Sequence, residues 1–129
     1  MFSAGTSFWV RADRHLWVVI SDPLQDASQV VHVNFTSLDE SAPLHDPYND
    51  RACLVTPGEH PFIDDPTCVY YCGVQIASVA HLESRYNRRD LTFGDPVSEE
   101  LLAKMRHGAT VSEHILPIAH DILVDQGLV

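Results

Sequence analysis

Positive charge is scarce in this chain: 8 lysine and arginine residues stand against 18 aspartate and glutamate, a formal net charge of −10. Seven acids and a single base, Arg51, lie between Asp39 and Asp65. Such a surface repels phosphate backbones and argues against an extensive nucleic-acid interface. Only two local clusters run against this balance: Arg11 with Arg14, and Arg85 with Arg88 and Arg89. No apolar run approaches the ~20 residues a membrane helix needs. The start of the chain, Met1 to Thr6, has no basic stretch leading into an apolar one, so no secretory signal is expected. The three cysteines, Cys53, Cys68 and Cys72, cannot all pair. On one strand Cys68 and Cys72 would lie ~13 Å apart, too far for a disulfide. A reducing cytoplasm is the expected setting. Cys-x-x-Cys and His-Glu-x-x-His patterns are both missing, which removes the usual zinc signatures. Repeats and low-complexity tracts are absent too.

What remains reads as one domain over residues 1–129, long enough to bury a core without staples. Leu16 to Ile20 is apolar on both faces, as in a strand buried from two sides. Val31, Val33 and Phe35 alternate with His32, Asn34 and Thr36, giving a strand with one core face and one polar face. Residues 37–50 form a long Ser-, Asp- and Pro-rich loop, of the kind that is often functional. Ala52 to Thr56, Thr67 to Tyr71 and Val74 to Ala80 read as further strands, with Gly73 marking a bulge. Ser98 caps a helix whose first turn carries Glu99 and Glu100. Leu101, Leu102 and Met105 form its apolar stripe, Glu100 and Lys104 an i,i+4 pair, and Gly108 its stop. A second helix starts at Pro117, or at Ser112 with a kink at the proline. About five strands followed by two helices give a mainly β, α+β fold: a small antiparallel barrel over about 10–95 and helices over about 98–126.

Between two of these strands lies Gly58-Glu59-His60-Pro61-Phe62-Ile63. It holds a histidine in a proline-stiffened loop, where binding and catalytic side chains concentrate. An imidazole there can exchange a proton near neutral pH.

The order of features resembles the MazF/PemK/Kid-type toxin family of small SH3-like barrels. The resemblance is carried by His15 to Ser21, by Val33-Asn34-Phe35-Thr36-Ser37, by the Gly58-Glu59 turn, and by Phe93-Gly94-Asp95-Pro96-Val97-Ser98-Glu99-Glu100-Leu101 leading into the closing helix. It spans roughly residues 10 to 125. It implies a homodimeric, metal-free and cofactor-free endoribonuclease of the cytoplasm, acting on RNA and held in check by an antitoxin. Where that family carries an arginine before its first strand, this chain has His15, with Arg14 beside it. The family's strand-end Thr or Ser matches Thr36 or Ser37, and the Gly58–Ile63 motif has no counterpart.

Metal-free RNA cleavage needs a base for the 2′-hydroxyl, an acid for the leaving 5′-oxygen, and donors for the developing charge. His15 and His60 are the expected acid and base. Thr36 and Tyr71 complete the catalytic set, and Arg14, Ser37 and Thr67 contact the substrate. Two other readings stand beside this one. In one, His15, His32 and His60 meet around a metal ion. In the other, the barrel is a non-catalytic module that engages a basic protein. The remaining histidines, among them His81, His107, His114 and His120, are expected at the surface or against helices.

Overall fold

The computed structural model describes residues 1–129. Six strands form one antiparallel sheet: β1 (Ser7–Val10), β2 (Leu16–Val19), β3 (Val30–Ser37), β4 (Leu54–Val55), β5 (Thr67–Ala77) and β6 (Leu91–Phe93). Their spatial order is β4-β5-β3-β2-β1-β6. Three helices complete an α+β fold: α1 (Val79–Asn87), α2 (Glu99–Val111) and α3 (Pro117–Asp125). The edge strands β4 and β6 are not hydrogen-bonded to each other, so the ladder does not close into the expected barrel. No helix is long and apolar enough to cross a membrane.

The sheet buries both faces, which explains why β2 is apolar throughout. On one face Leu16, Val18, Val31, Val33, Phe35, Val69 and Tyr71 pack beneath α2 and α3, through Leu101, Met105, Ala109, Ile122 and Leu123. On the other, Phe8, Trp17, Val19 and Val30 pack with Phe2, Leu91 and Leu82 of α1. Full burial of each Leu, Val or Phe contributes roughly 1.5–3 kcal/mol, so both layers hold the sheet.

The long seam is β3 against β5. Its register breaks once: His32 faces Gln75 but Asn34 faces Tyr70, so Tyr71 to Val74 lie opposite Val33 alone. Gly73 sits in this bulge because a Cβ there would fall 2.6 Å from the Tyr70 ring. The extra residues let Tyr71 and Val74 both join the helix-covered core.

Several expectations need correction. β1 and β6 were not anticipated, and the strand expected over Ala52–Thr56 shortens to Leu54–Val55. The strand expected to reach Ala80 ends at Ala77, because Ser78 caps α1 by accepting from the His81 N–H. Ser98 caps α2 as expected, accepting from the Leu101 N–H at 3.1 Å. Gly108 does not stop that helix, which runs on to Val111. It is glycine for contact: a Cβ there would strike the Tyr71 hydroxyl and lie 2.7 Å from Cys53 Cβ. Lys104 pairs with Glu59 at 3.0 Å. That partner belongs to the β4–β5 loop, 45 residues away in sequence, and is not the expected Glu100.

Candidate functional site

The half of the second sheet face that α1 leaves uncovered is polar and aromatic. The register sets Trp17 beside Asn34 and Asn34 beside Tyr70, one row across β2, β3 and β5. His15, just before β2, and Thr36 of β3 come next and line the same depressions. Tyr48, from the short 3-10 turn Pro47–Asn49, lays its ring on Tyr70 with centroids 5.5 Å apart and planes 12° from parallel. That turn is held by Asp46, whose carboxylate accepts from the Tyr48 N–H. The long loop thus delivers an aromatic ring to the sheet.

These residues line a depression of about 340 Å³, shared by His15, Trp17, Asn34, Thr36, Tyr70 and Gln75. His15 and Thr36 also line a second depression of about 460 Å³, walled by Phe62, Asp64 and Asp65. Trp17 and Gln75 line a third, of about 500 Å³, against α1. The central depression shares lining residues with each of the other two, so the three run on as one groove. Its ends differ in chemistry: Asp13, His81 and Arg85 line the α1 end, Asp64 and Asp65 the other.

Asp13 orders the middle. One carboxylate oxygen accepts from the His15 N–H at 3.0 Å and the other from Trp17 Nε1–H at 3.1 Å. Burial, then Cys72 and Tyr48, push the Tyr70 phenol above its ordinary range, so it stays a neutral hydroxyl. Asn34 is only 3% exposed, yet its Oδ1 has no hydrogen-bond partner. A buried amide oxygen left unbonded costs stability, and such groups mark function or strain.

The residues expected from sequence divide into two groups. His15, Thr36, Ser37 and Thr67 all line the groove, Thr67 with its hydroxyl turned to the Asp65 carbonyl at 2.8 Å. Arg14 is exposed at a left-handed φ of 59° and lines none of the three depressions. Tyr71 is a correction. Its bulge position turns it into the core, where its hydroxyl donates to the Met105 carbonyl and burial drives its pKa far up. No substrate can touch it there.

His60 is the second correction. It is 5% exposed and both ring nitrogens are engaged. Nε2–H donates to the Asp95 carbonyl at 2.8 Å, and Nδ1 accepts from the Phe62 N–H at 3.1 Å. The same carbonyl accepts from the Ser7 hydroxyl. Glu59 accepts from the Thr56 N–H at 2.6 Å and pairs with Lys104. The Gly58–Ile63 motif is therefore a clasp between the β4–β5 loop and the approach to α2. It sets Phe62 and the two aspartates as the groove's far wall.

His15, His32 and His60 do not converge: His32 faces the α1 depression and His60 the clasp. No three His, Cys, Asp or Glu side chains come together in a group able to hold a metal ion. Sequence reasoning missed Trp17, Asn34, Tyr48, Tyr70 and Gln75. The alternation of β3 marked Asn34 as polar-face, but its neighbours depend on register, and Tyr48 on how the loop folds back. The chain matches no protein-family model and no curated protein, so the groove is read from its own chemistry.

Proposed function

We propose that the groove binds single-stranded RNA and cleaves it without a metal ion, as a toxin-type endoribonuclease. One observation carries the reading: His15 and Thr36 lie together where two depressions meet, flanked by the stacked Tyr48–Tyr70 pair. Stacked rings suit unpaired bases, which are sequence-tolerant partners at ~1–3 kcal/mol each. His15 removes the proton from the 2′-hydroxyl, and that oxygen attacks the phosphorus. The Thr36 hydroxyl donates to a non-bridging oxygen. The phenol of Tyr70 protonates the departing 5′-oxygen, leaving a 2′,3′-cyclic phosphate and a 5′-hydroxyl. Ser37, which lines the groove, contributes to phosphate binding, whereas Arg14 lies outside it. In this reading the sheet is an SH3-like barrel opened between β4 and β6, and the chain works in the cytoplasm as a homodimer restrained by an antitoxin.

The test is cleavage of a labelled single-stranded RNA pool with chelator in excess. His15→Ala should lower the rate about 10²–10⁴-fold. His60→Ala should cost about 2 kcal/mol of stability through the clasp while the folded protein keeps its rate. No cleavage by the unmodified chain ends the ribonuclease reading, and cleavage lost to chelator transfers it to a metal mechanism. The Asp64–Asp65 wall favours one second reading, a non-catalytic groove for a basic peptide. Peptide binding without RNA cleavage would select it.

A further inference from the structure

The depression against α1 contains two groups that the cleavage chemistry does not use. The first is Arg85, half-buried and facing this space without a carboxylate partner. The chain's ion pairs all lie elsewhere, at His45, Arg88, Lys104 and His120. Most arginines of this chain lack a carboxylate partner, and what sets Arg85 apart is its place in the lining of this depression. Asp13 shares the lining, but both its oxygens are engaged by the His15 N–H and Trp17 Nε1–H.

The second group is His32, 5% exposed and wedged between Phe8 and Trp17, with ring centroids 5.4 Å from each. Its Nδ1 lies 3.0 Å from the Val30 carbonyl. A carbonyl only accepts, so Nδ1 carries the hydrogen and Nε2 presents a lone pair. Nε2 has no protein partner. The enclosed side-chain polar atoms without a partner are Asn34 Oδ1 and Gln126 Nε2, and His32 Nε2 is not one of them, so it remains open to the depression. Burial holds this imidazole's pKa down to about 4, so the ring stays a neutral acceptor at pH 7. An acceptor and a cation side by side call for a ligand with a donor hydroxyl next to an anion.

We propose that this depression is a nucleotide-phosphate subsite, in which Arg85 and His81 bind the phosphate and His32 Nε2 accepts from a ribose hydroxyl. This deepens the RNA reading, on which it rests for the identity of the ligand. The subsite holds a nucleotide flanking the one attacked at His15, and Trp17 and Gln75 form the shared wall between the two. Arg85 is the one permanently cationic side chain lining the groove, and it lies at the α1 end, away from Asp64 and Asp65.

The probes are adenosine 5′-monophosphate and adenosine, titrated into the intact chain and followed by NMR at the Trp17 indole N–H and the His32 and His81 rings. The monophosphate should shift these signals saturably, at least tenfold more tightly than the nucleoside. Arg85→Gln should erase that preference with the rest of the spectrum unchanged, and Arg85→Lys should restore part of it. Equal affinity for nucleoside and monophosphate, or a preference that survives Arg85→Gln, overturns the subsite. Binding that follows the expected pattern in a chain that cuts no RNA upholds the subsite and rejects the ribonuclease. Cleavage with no response at these three side chains does the reverse.

Discussion

The two faces of one sheet are built to different standards. The face beneath α2 and α3 gathers twenty buried residues, and its buried tyrosine hydroxyl finds a carbonyl. The opposite face gathers eight, then gives way to the groove, where the enclosed Asn34 Oδ1 has no partner and His32 Nε2, open to the groove, has none. Both faces arise from the same strands, residue by alternate residue, so the difference lies in side-chain chemistry and in what covers each face. The helix-covered face stabilises the fold. On the other, His32 Nε2 is left open to the groove without a protein partner. Sites commonly hold such locally unfavourable arrangements, offset by stability elsewhere.

Breaking the finished face should have the largest effect. Tyr71→Ala removes a fully buried ring and opens a cavity beneath Gly108, and should cost about 4 kcal/mol in denaturant unfolding. Tyr71→Phe keeps the ring and loses one hydrogen bond, about 1 kcal/mol, and should leave RNA cleavage unchanged. A cleavage defect in a stably folded Tyr71→Phe protein would put Tyr71 back in the site and blur the contrast between the faces.

The open face should be the acid-sensitive one. His32 titrates near its ordinary 6.5 when unfolded but only at about 4 when folded, because burial disfavours its charged form. Between those values the unfolded chain binds the proton and the folded chain does not, so stability falls as pH falls from about 6.5 to about 4 and levels below that. The loss attributable to this residue is about 3 kcal/mol. It is read as the difference in pH dependence between the unmodified chain and His32→Phe. Identical pH profiles for the two would mean that water reaches the ring and that this face is wetter than its burial indicates.

How far the sequence revealed this contrast depends on the length of each signal. The six-residue alternation from Val31 to Thr36 in β3 named both faces, and the apolar run of β2 announced burial from two sides. Ser98 and Pro117 located the starts of α2 and α3. The elements of three and four residues at Leu91 and Ser7 carry too few positions for a period to show. α1 buries only Leu82, so it has almost no apolar stripe, and its start runs on from strand-like Val74 to Ala77. Of the candidate site, His15, Thr36, Ser37 and Thr67, which line one depression, were legible as polar residues at strand ends. Misplacing His60 and Tyr71 has a common cause. A polar atom in a sequence does not say whether a backbone group will satisfy it, and here Asp95 and Met105 do. Asn34 is the opposite case, an ordinary strand residue whose enclosed Oδ1 no element of the fold satisfies.

That missing partner gives the smallest and most discriminating test. If Asn34 is kept for a ligand, replacing it with an apolar side chain of similar volume should remove an unsatisfied buried group and help the fold. Asn34→Leu should raise unfolding stability by about 1 kcal/mol, while weakening single-stranded RNA binding at the central depression. Few core-like positions behave this way, since most substitutions at buried sites destabilise. A variant that is less stable would show that the Asn34 amide has a native partner, a bound water for instance, and that the open face is as finished as the other. A variant that is more stable and binds as before would strip Asn34 of its role and leave His15, Thr36 and the tyrosine pair to carry the site alone.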